Sequence, residues 1–309
     1  GQSTQEFPTP TRSPKTPQFT FENLLGQMNR EEHPYFNKRA LLATQHRKGE
    51  VVAPEFKSIL GMHAEEIHVD TDSLGTFTGE IARVGTAKDV VIAKARLAIV
   101  KSGNPFSIAS EGSIGVDPLI PFINSDIEHM AFIDEEHGFT VVETIRSTEI
   151  VVDTIRANSD TPLEEFLRGA DFPHHKLIIR SVESPTAFSI KGIDSYLLLE
   201  KSLQQAFKKY PEVIIESDLR AHCSPSRMAN IALVAHKLAL RLSNLCPECL
   251  TPGWGVVGFV KGLPCTECEE ISEEALRAEI LGCMKCSLTR EGKILAEAID
   301  PSRCDLCNP

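Results

Sequence analysis

The chain has 309 residues, 41% of them hydrophobic, and a formal net charge of −11 at pH 7. This length accommodates one domain of about 200 residues and a smaller second unit. No apolar run approaches the roughly 18 residues that a membrane-spanning helix needs, and we find no targeting segment, so we expect a cytoplasmic protein. The acidic balance argues against nucleic acid as a partner, because polyanion binding relies on lysine and arginine.

The predicted elements form an α/β body over residues 19–244, preceded by a disordered arm at 1–18 that is rich in Pro, Ser, Thr and Gln. Residues 19–36 have room for one short helix. Buried strands are predicted at 39–44, 66–70, 106–110, 176–182, 188–191 and 213–217, and a long hairpin at 129–134 and 139–153. Helices are predicted around Pro54 as far as Leu60, and at 86–101, 162–169, 194–210 and 225–242.

The first elements alternate strand, helix, strand, helix and strand, which predicts a mixed sheet with parallel crossovers and flanking helices. A polar loop at 71–85 precedes the second of these helices. Thr86 and Asp89 form a capping-box pattern at its start. Its apolar positions recur at helical spacing and predict its buried face: Val90, Ala93, Leu97 and Val100.

Several residues at strand ends are candidates for chemistry. Thr44 ends the first strand, and His46 and Lys48 follow in a basic loop before a helix, which suits phosphate unless the loop is merely a solvated turn. Lys94 borders the apolar stripe of its helix, where its ammonium either reaches a cleft or snorkels to solvent. Glu111 follows the third strand and is either a loop residue or a carboxylate that holds Mg²⁺ or acts as a base toward water.

A further group follows the strand at 213–217. Alternate residues of an extended chain share one face, and four ionisable ones do so here: Glu216, Asp218, Arg220 and His222. With Arg227 in the next helix, they either bind a phosphorylated ligand and move a proton, or form a salt-bridged strand end. Cys223 is interpreted as a structural thiol rather than a nucleophile, because its neighbour His222 would point to the opposite face.

Part of the body, residues 39–115, resembles the inosine-triphosphate pyrophosphatase superfamily, with its Maf and Ham relatives. The stretches that carry the resemblance are Ala43-Thr44, Glu55-Phe56-Lys57, Gly85-Thr86, Ala93-Lys94-Ala95 and Ile108-Ala109-Ser110-Glu111-Gly112. That superfamily cleaves non-standard nucleoside triphosphates to monophosphate and pyrophosphate with Mg²⁺. The resemblance therefore implies a nucleotide ligand and the α/β fold of that superfamily. It also implies that Glu55 and Glu111 act on metal and water, and that Lys94 contacts phosphate.

The whole chain is also similar to an uncharacterised bacterial family that joins such a body to a Cys-rich tail. The stretches that carry this similarity are Gly75-Thr76-Phe77-Thr78-Gly79-Glu80, Ala109-Ser110-Glu111-Gly112-Ser113, Glu216-Ser217-Asp218-Leu219-Arg220-Ala221-His222 and the closing Cys304-Asp305-Leu306-Cys307-Asn308-Pro309. This family has no assigned activity, so it informs the architecture only.

Eight of the nine cysteines form four Cys-x-x-Cys pairs in the tail, residues 245–309. In chain order they are Cys246/Cys249, Cys265/Cys268, Cys283/Cys286 and Cys304/Cys307. Two such pairs complete a tetrahedral four-sulfur site, so the tail is predicted to be a double zinc ribbon with two structural Zn²⁺ ions. Disulfides are the alternative, but no secretory segment supports them.

The spacing favours sequential pairing of first with second and third with fourth, with fifteen and seventeen residues between the pairs. Interleaved pairing remains open. The tail carries six Lys and Arg against eleven Asp and Glu, so it is better suited to structure or a protein contact than to nucleic acid. Trp254 is predicted to pack the ribbon onto the body.

The leading hypothesis is Mg²⁺-dependent binding and hydrolysis of a nucleoside triphosphate or a similar phosphorylated molecule. The residues assigned to catalysis are Glu55, Glu111, Asp218 and His222. Those assigned to phosphate are Thr44, His46, Lys48, Lys94, Arg220 and Arg227. The alternative is a non-catalytic scaffold whose ribbon binds a protein partner, and a homodimer is compatible with either.

Overall fold

The computed structural model describes residues 29–69, 85–183 and 186–309. The first sheet contains β1 (Arg39–Ala43), β2 (His63–Ile67), β3 (Phe106–Val116), β4 (Asn124–Asp134) and β5 (Phe139–Ser147). Their order is β2-β1-β3-β4-β5. β1 pairs in parallel with β2 and β3, whereas β3, β4 and β5 form an antiparallel meander. The predicted mixed sheet with parallel crossovers is confirmed.

Helices cover both faces of this sheet. They are α1 (Gly49–Leu60) and α2 (Ala87–Ser102), with α5 (Pro225–Ser243) arriving later in the chain. α1 and α5 pack on one face through a large apolar core that includes Phe56, Phe132 and Leu238. α2 packs on the other face through small residues such as Ala95 and Ala98. The sheet therefore lies between two helical layers.

A second, antiparallel sheet has the order β6-β9-β7-β8. Its strands are β6 (Thr154–Ala157), β7 (Leu177–Ser181), β8 (Ser189–Ile193) and β9 (Val213–Ser217), and its helices are α3 (Glu164–Gly169) and α4 (Tyr196–Phe207). These elements share an apolar core of their own, with Leu177, Ile179 and Val213 at its centre. A 3-10 turn at Ala221–Cys223 then leads from β9 into α5.

The tail forms a three-stranded antiparallel sheet of β10 (Gly255–Pro264), β11 (Ile271–Gly282) and β12 (Thr289–Ile294). A short 3-10 turn, Pro301–Arg303, precedes the last cysteine pair. None of the helices in the described ranges is long and apolar enough to span a membrane.

The buried face of α2 differs from the prediction. Its start is as expected, because Thr86 and Asp89 form both hydrogen bonds of the capping box. The fully buried residues, however, include Val91 and Ala98, while Val100 is 83% exposed. Apolar residues surround much of this helix, so its periodicity permits more than one face, and the close approach of small side chains to the sheet selects the face that is buried.

Smaller differences concern element ends. α1 begins at Gly49, so Pro54 lies in its second turn, and it ends at Gly61, whose left-handed conformation (φ 67°) suits glycine. β2 begins three residues earlier than predicted, at His63, and β5 ends at Ser147 rather than near 153. The arm at 1–18, most of the helix segment at 19–36 and the loop at 71–84, with its Gly75–Glu80 stretch, lie outside the described residues.

Candidate functional site

Polar side chains converge at the carboxyl end of β1. Thr44 Oγ1 accepts a hydrogen bond from the His46 backbone N–H at 3.1 Å, which fixes the turn that leaves the strand. Lys48, only 7% exposed, reaches across the end of the sheet and donates to Ser110 Oγ on β3 at 2.8 Å. Burial, followed by the nearby Arg227 guanidinium, lowers the pKa of Lys48 to about 8. The loop therefore contains a buried ammonium group and is not a solvated turn.

Glu111 and Lys94 form a buried ion pair on the α2 side of the sheet. Their Nζ and Oε2 atoms are 2.6 Å apart, and their side chains are 12% and 6% exposed. Side chains alternate along β3, so Glu111 faces α2 whereas Ser110 and Gly112 face α1 and α5. β1 ends opposite Ala109, so Ser110 and Glu111 of β3 lie beyond the last residue of β1.

Two acids on β4 complete the polar group on the α5 side, and neither was expected from the sequence. Asp126 and Glu128 are fully buried. Asn230 Nδ2 donates to Asp126 Oδ2 at 3.0 Å, and Arg227 Nε donates to Glu128 Oε1 at 2.7 Å. Burial, followed by the neighbouring Glu128 carboxylate, raises the pKa of Asp126 to about 7.

The pattern that could have revealed them is two acids at alternate positions just before an apolar strand segment. Residues 126 and 128 share one face of β4, and residues 227 and 230 lie one turn apart on α5. Residue 126 on the strand therefore faces residue 230 on the helix, and residue 128 faces residue 227. The strand begins at Asn124, five residues before the predicted start at 129, so both acids lie within it and are covered by the helix.

Gly112 is required by this packing. It is the cross-strand partner of Glu128. A Cβ atom at this position would overlap Glu128 Oε1, and would lie 2.5 Å from Arg227 Nη2. The small residue after Glu111 therefore makes room for the Arg227–Glu128 ion pair.

Two histidines from distant segments stack above this group. The rings of His46 and His222 have centroids 5.1 Å apart and an interplanar angle of 20°. The Nδ1 atom of each ring is buried, and no described residue forms a hydrogen bond with it. Burial, followed by Lys48, lowers the pKa of His46 to about 3, and burial, followed by Arg220, lowers that of His222. Both imidazoles are therefore neutral near pH 7 and can accept or donate a hydrogen bond according to tautomer.

Asp218 holds Arg220 in place. Its Oδ1 and Oδ2 atoms accept from Arg220 Nε at 2.9 Å and Nη2 at 2.5 Å, and Oδ2 also accepts from the Gly192 backbone N–H at 3.0 Å. Although burial by itself raises the pKa of Asp218, the Arg220 contacts hold it below its ordinary value. A carboxylate engaged in this way positions a guanidinium rather than moving protons.

The first of the four alternate residues, Glu216, is engaged within the second sheet and not at the site. Glu216 forms a two-atom ion pair with Arg180 on β7, at 2.9 and 3.1 Å. The chain leaves the extended conformation at the turn Ala221–Cys223, so strand alternation does not extend to His222. Asp218, Arg220 and His222 nevertheless remain at the site.

The N-terminus of α5, which carries Arg227 and Asn230, is fixed by a buried histidine. His175 Nε2 accepts from the Ser226 backbone N–H at 3.2 Å and lies 2.9 Å from Ser226 Oγ. His175 Nδ1 therefore carries the proton and donates to Asp171 Oδ2 at 2.9 Å. This chain of contacts anchors α5 to the second sheet.

The structure does not place Glu55 with the other candidates. Its carboxylate pairs with His236 Nδ1 of α5 at 2.8 Å, on the α1 and α5 side of the sheet, whereas Glu111 faces α2. The N-terminus of α1, which was expected to suit phosphate, is occupied by a carboxylate of the chain itself. Glu66 Oε1 accepts from the Gly49 backbone N–H at 2.7 Å.

Cys223 is buried, and burial, followed by the Asp218 carboxylate, raises the pKa of its thiol to about 11. The thiolate is the nucleophilic form, so at pH 8 only about one part in a thousand of this thiol is reactive. We expect iodoacetamide at pH 8 to leave Cys223 unmodified in the folded, zinc-loaded protein and to modify it in urea. Peptide mass spectrometry checks this, and rapid modification of the folded protein would contradict the structural interpretation.

The tail cysteines form two clusters. Within each, the four Sγ atoms lie within 4.8 Å of one another. The Sγ pairs of the first are Cys246–Cys286 at 3.7 Å and Cys249–Cys283 at 3.5 Å, and those of the second are Cys265–Cys307 at 3.8 Å and Cys268–Cys304 at 3.6 Å. Tetrahedral zinc with Zn–S bonds of about 2.3 Å requires S···S separations of roughly 3.75 Å. The two clusters could therefore hold two zinc ions.

The pairing is interleaved, so the sequential pairing favoured by spacing is wrong. The first cysteine pair joins the third, and the second joins the fourth. The reason is the long hairpin: Gly255 at the start of β10 pairs with Gly282 at the end of β11, which brings the flanking first and third pairs to one end. The second pair lies in the β10–β11 turn at the other end, where Cys265 bridges to Ile299.

The end of the ribbon with the first cluster rests against the body through Arg241 of α5. This guanidinium pairs with Glu143 Oε1 on β5 at 2.7 Å, donates to the Gly253 carbonyl at 3.2 Å and contacts Met284 Sδ at 3.4 Å. Trp254 is 3% exposed, and its backbone N–H donates to the Asn244 carbonyl. Body and ribbon thus share a packed junction.

The chain is similar to one protein family and, at low similarity, to solved structures that include the two described below. A family model described as "Domain of unknown function (DUF6671)" matches residues 94–309. A nucleoside-triphosphatase / dITP/XTP pyrophosphatase from Mycobacterium abscessus has 15% identity and a TM-score of 0.25, with 35% of this chain and 70% of that chain covered. Protein VC0702 from Vibrio cholerae has 13% identity and a TM-score of 0.26, with 37% and 67% covered. No curated protein matches the chain.

Proposed function

The chain belongs to the family described as Domain of unknown function (DUF6671), and we propose that this member binds a phosphorylated small molecule of the nucleoside triphosphate class at the carboxyl end of β1. The observation that carries the proposal is the convergence of donors from separate parts of the chain. Lys48, Arg220 and Arg227 all lie close enough to His46 to lower its pKa. Phosphate groups are bound by such combinations of ammonium, guanidinium and imidazole donors.

The donors have capacity left for a ligand. An ammonium group has three N–H donors, and within the described ranges the hydrogen bonds of Lys48 Nζ go to the Oγ and carbonyl oxygen atoms of Ser110. The imidazoles of His46 and His222 each have a buried Nδ1 atom without a hydrogen-bond partner in the part of the chain that the structure describes. Asp218 holds the Arg220 guanidinium in a fixed orientation, which reduces the conformational entropy lost on binding.

Hydrolysis to monophosphate and pyrophosphate is the activity that the resemblance of residues 39–115 implies, and we extend the proposal to it. Glu111 accepts the proton of the attacking water, and Lys94 positions the Glu111 carboxylate. Lys48, Arg220 and Arg227 stabilise the negative charge on the phosphates. His222 donates or accepts a hydrogen bond without changing the net charge of the site.

The Mg²⁺ site that the resemblance implies on Glu55 and Glu111 does not fit these residues. Glu55 pairs with His236 on one face of the first sheet, and Glu111 pairs with Lys94 on the other. Each carboxylate is already engaged by a basic side chain of the chain itself, so the two do not form a joint metal site.

Binding of ATP, GTP and their deaminated counterparts to the zinc-loaded protein tests the proposal. We expect Lys48→Met to weaken binding roughly ten- to a hundredfold, since a hydrogen bond to a charged group contributes about 1.5–3 kcal/mol. The matched control is Lys101→Met on α2, whose Nζ contacts the His68 carbonyl away from the site. Equal binding by both variants, or no binding by the wild type, would contradict the proposal.

Pyrophosphate release with added Mg²⁺ tests the hydrolytic step separately. We expect release by the wild type and a loss of at least tenfold in Glu111→Gln, with nucleotide binding retained. Binding without release would limit the function to recognition.

The rival function, a scaffold whose ribbon binds a protein, has one observation in its favour. The ribbon exposes large apolar side chains on its strands, with Phe259 45%, Ile271 52% and Ile294 55% exposed. Large contiguous apolar patches mark protein contacts, whereas apolar side chains exposed singly are common. Two results together would favour this alternative: nucleotide binding that is unchanged in the Lys48→Met protein, and loss of binding to a protein partner on substituting Phe259.

A further inference from the structure

Asp126 and Glu128 share an unusual arrangement of hydrogen bonds. In each carboxylate, one oxygen is held by α5, through Asn230 or Arg227. The other oxygen, Asp126 Oδ1 or Glu128 Oε2, is buried and has no hydrogen-bond partner among the residues that the structure describes. Both side chains lie on the same face of β4 and are fully buried.

Such atoms require an explanation. Leaving a buried acceptor unsatisfied is destabilising, and more so for a charged group, so nearly all such groups in folded proteins have a partner. Two unsatisfied carboxylate oxygens at alternate positions of one strand indicate that a positively charged ligand belongs between them. The hydrogen bonds from α5 match the way in which metal-ligating carboxylates are oriented, with one oxygen held by the protein and the other directed to the ion.

We propose that Asp126 Oδ1 and Glu128 Oε2 bind a divalent cation of the Mg²⁺ class at the carboxyl end of β1. Hard oxygen donors favour Mg²⁺ or Mn²⁺ over zinc, which the thiolate clusters select. Mg²⁺ is commonly held by one or two carboxylates, with water and phosphate oxygens completing the octahedron. The inference rests on the proposed function only for those phosphate oxygens, since the two carboxylates are supplied by the chain.

The charges of the site support this assignment. Four cations (Lys48, Lys94, Arg220 and Arg227) lie with four acids (Glu111, Asp126, Glu128 and Asp218), so the ionised site is close to neutral. A triphosphate adds three or four negative charges, and a divalent cation offsets half or more of them. The ion and the phosphorylated ligand therefore favour each other's binding.

Mn²⁺ is the probe, because its electron paramagnetic resonance signal reports the free ion directly. The zinc-loaded full chain is titrated with MnCl₂ without nucleotide. We expect one Mn²⁺ site per chain that Mg²⁺ displaces, and at least tenfold weaker binding in both Asp126→Asn and Glu128→Gln. The matched control is Asp134→Asn, on the same strand and equally buried, because Asp134 already has Tyr35 and His137 as partners.

Thermal denaturation separates loss of the site from loss of the fold. Mg²⁺ is expected to raise the Tm of the wild type and of Asp134→Asn, relative to each protein without the ion, and to leave that of Asp126→Asn unchanged. Without metal, Asp126→Asn is expected to melt no lower than the wild type, since it removes a buried like-charge contact.

Other outcomes overturn the inference. These are absence of Mn²⁺ binding by the wild type, as expected if water alone satisfies the two oxygens, or binding within twofold of wild type in both Asp126→Asn and Glu128→Gln. Weakened binding in Glu55→Gln and Glu111→Gln but not in the β4 variants would move the site to those acids. Mn²⁺ binding that persists when no nucleotide binds would contradict the proposed function and leave this inference standing.

Discussion

Serine at all four cysteines of the first and third pairs is expected to leave one zinc ion per chain, whereas serine at the first and second pairs is expected to leave none. In the first variant, one cluster loses every ligand and the other keeps all four. In the second, each cluster keeps only two thiolates, which do not complete a tetrahedral site. Sequential pairing would give the opposite result, so zinc measured by mass spectrometry distinguishes the two arrangements.

Removal of zinc by chelation tests how far the ions stabilise the tail. Structural zinc sites contribute apparent free energies of about 10–16 kcal/mol, far more than a small apolar core. The buried apolar group at the far end of the ribbon includes Leu263 and Ile299 together with two of the cysteines themselves. We therefore expect chelation to unfold the ribbon, while the body, with its own cores, keeps its far-UV circular dichroism. Unfolding of the whole chain would contradict this.

Replacing Arg227 with Met is expected to reduce the free energy of unfolding by about 3–5 kcal/mol. Arg227 is 2% exposed and pairs with the fully buried Glu128 at 2.7 Å. Removing one partner of a buried ion pair leaves an uncompensated charge in a medium of low dielectric constant, and methionine keeps the packed volume but supplies no donor. Urea denaturation at pH 8, followed by circular dichroism, measures the change.

Arg156→Met is the matched control. Arg156 pairs with Glu212 on the surface, where the two side chains are 61% and 41% exposed. Solvent screens such a pair, so its loss is expected to cost about 1 kcal/mol or less. A comparable effect of both substitutions would show that the Arg227–Glu128 pair is not the buried, tightly coupled contact that the structure describes.

Much of the site could be predicted residue by residue. Lys94 and Glu111 were singled out separately, and they form one ion pair. Lys48, Arg220 and Arg227 lie near His46, as expected of residues that follow strand ends in an α/β fold. Asp126 and Glu128 were missed, because the local sequence pattern is the same whether a charged strand residue faces solvent or a covering helix. Glu55 was assigned to metal by resemblance alone, and its partner is His236.

The sequence by itself determined the local features of this protein. The capping box at Thr86, the alternation of strands and helices and the four cysteine pairs depend on contacts between residues close in the chain. The tertiary structure decided which face of α2 is buried, which cysteine pairs share an ion and which acidic side chains are buried away from solvent. These outcomes depend on contacts between distant segments, such as β10 with β11 and β4 with α5. Local periodicity and spacing carry no information about the partner across such a contact, so only the packed fold reveals it.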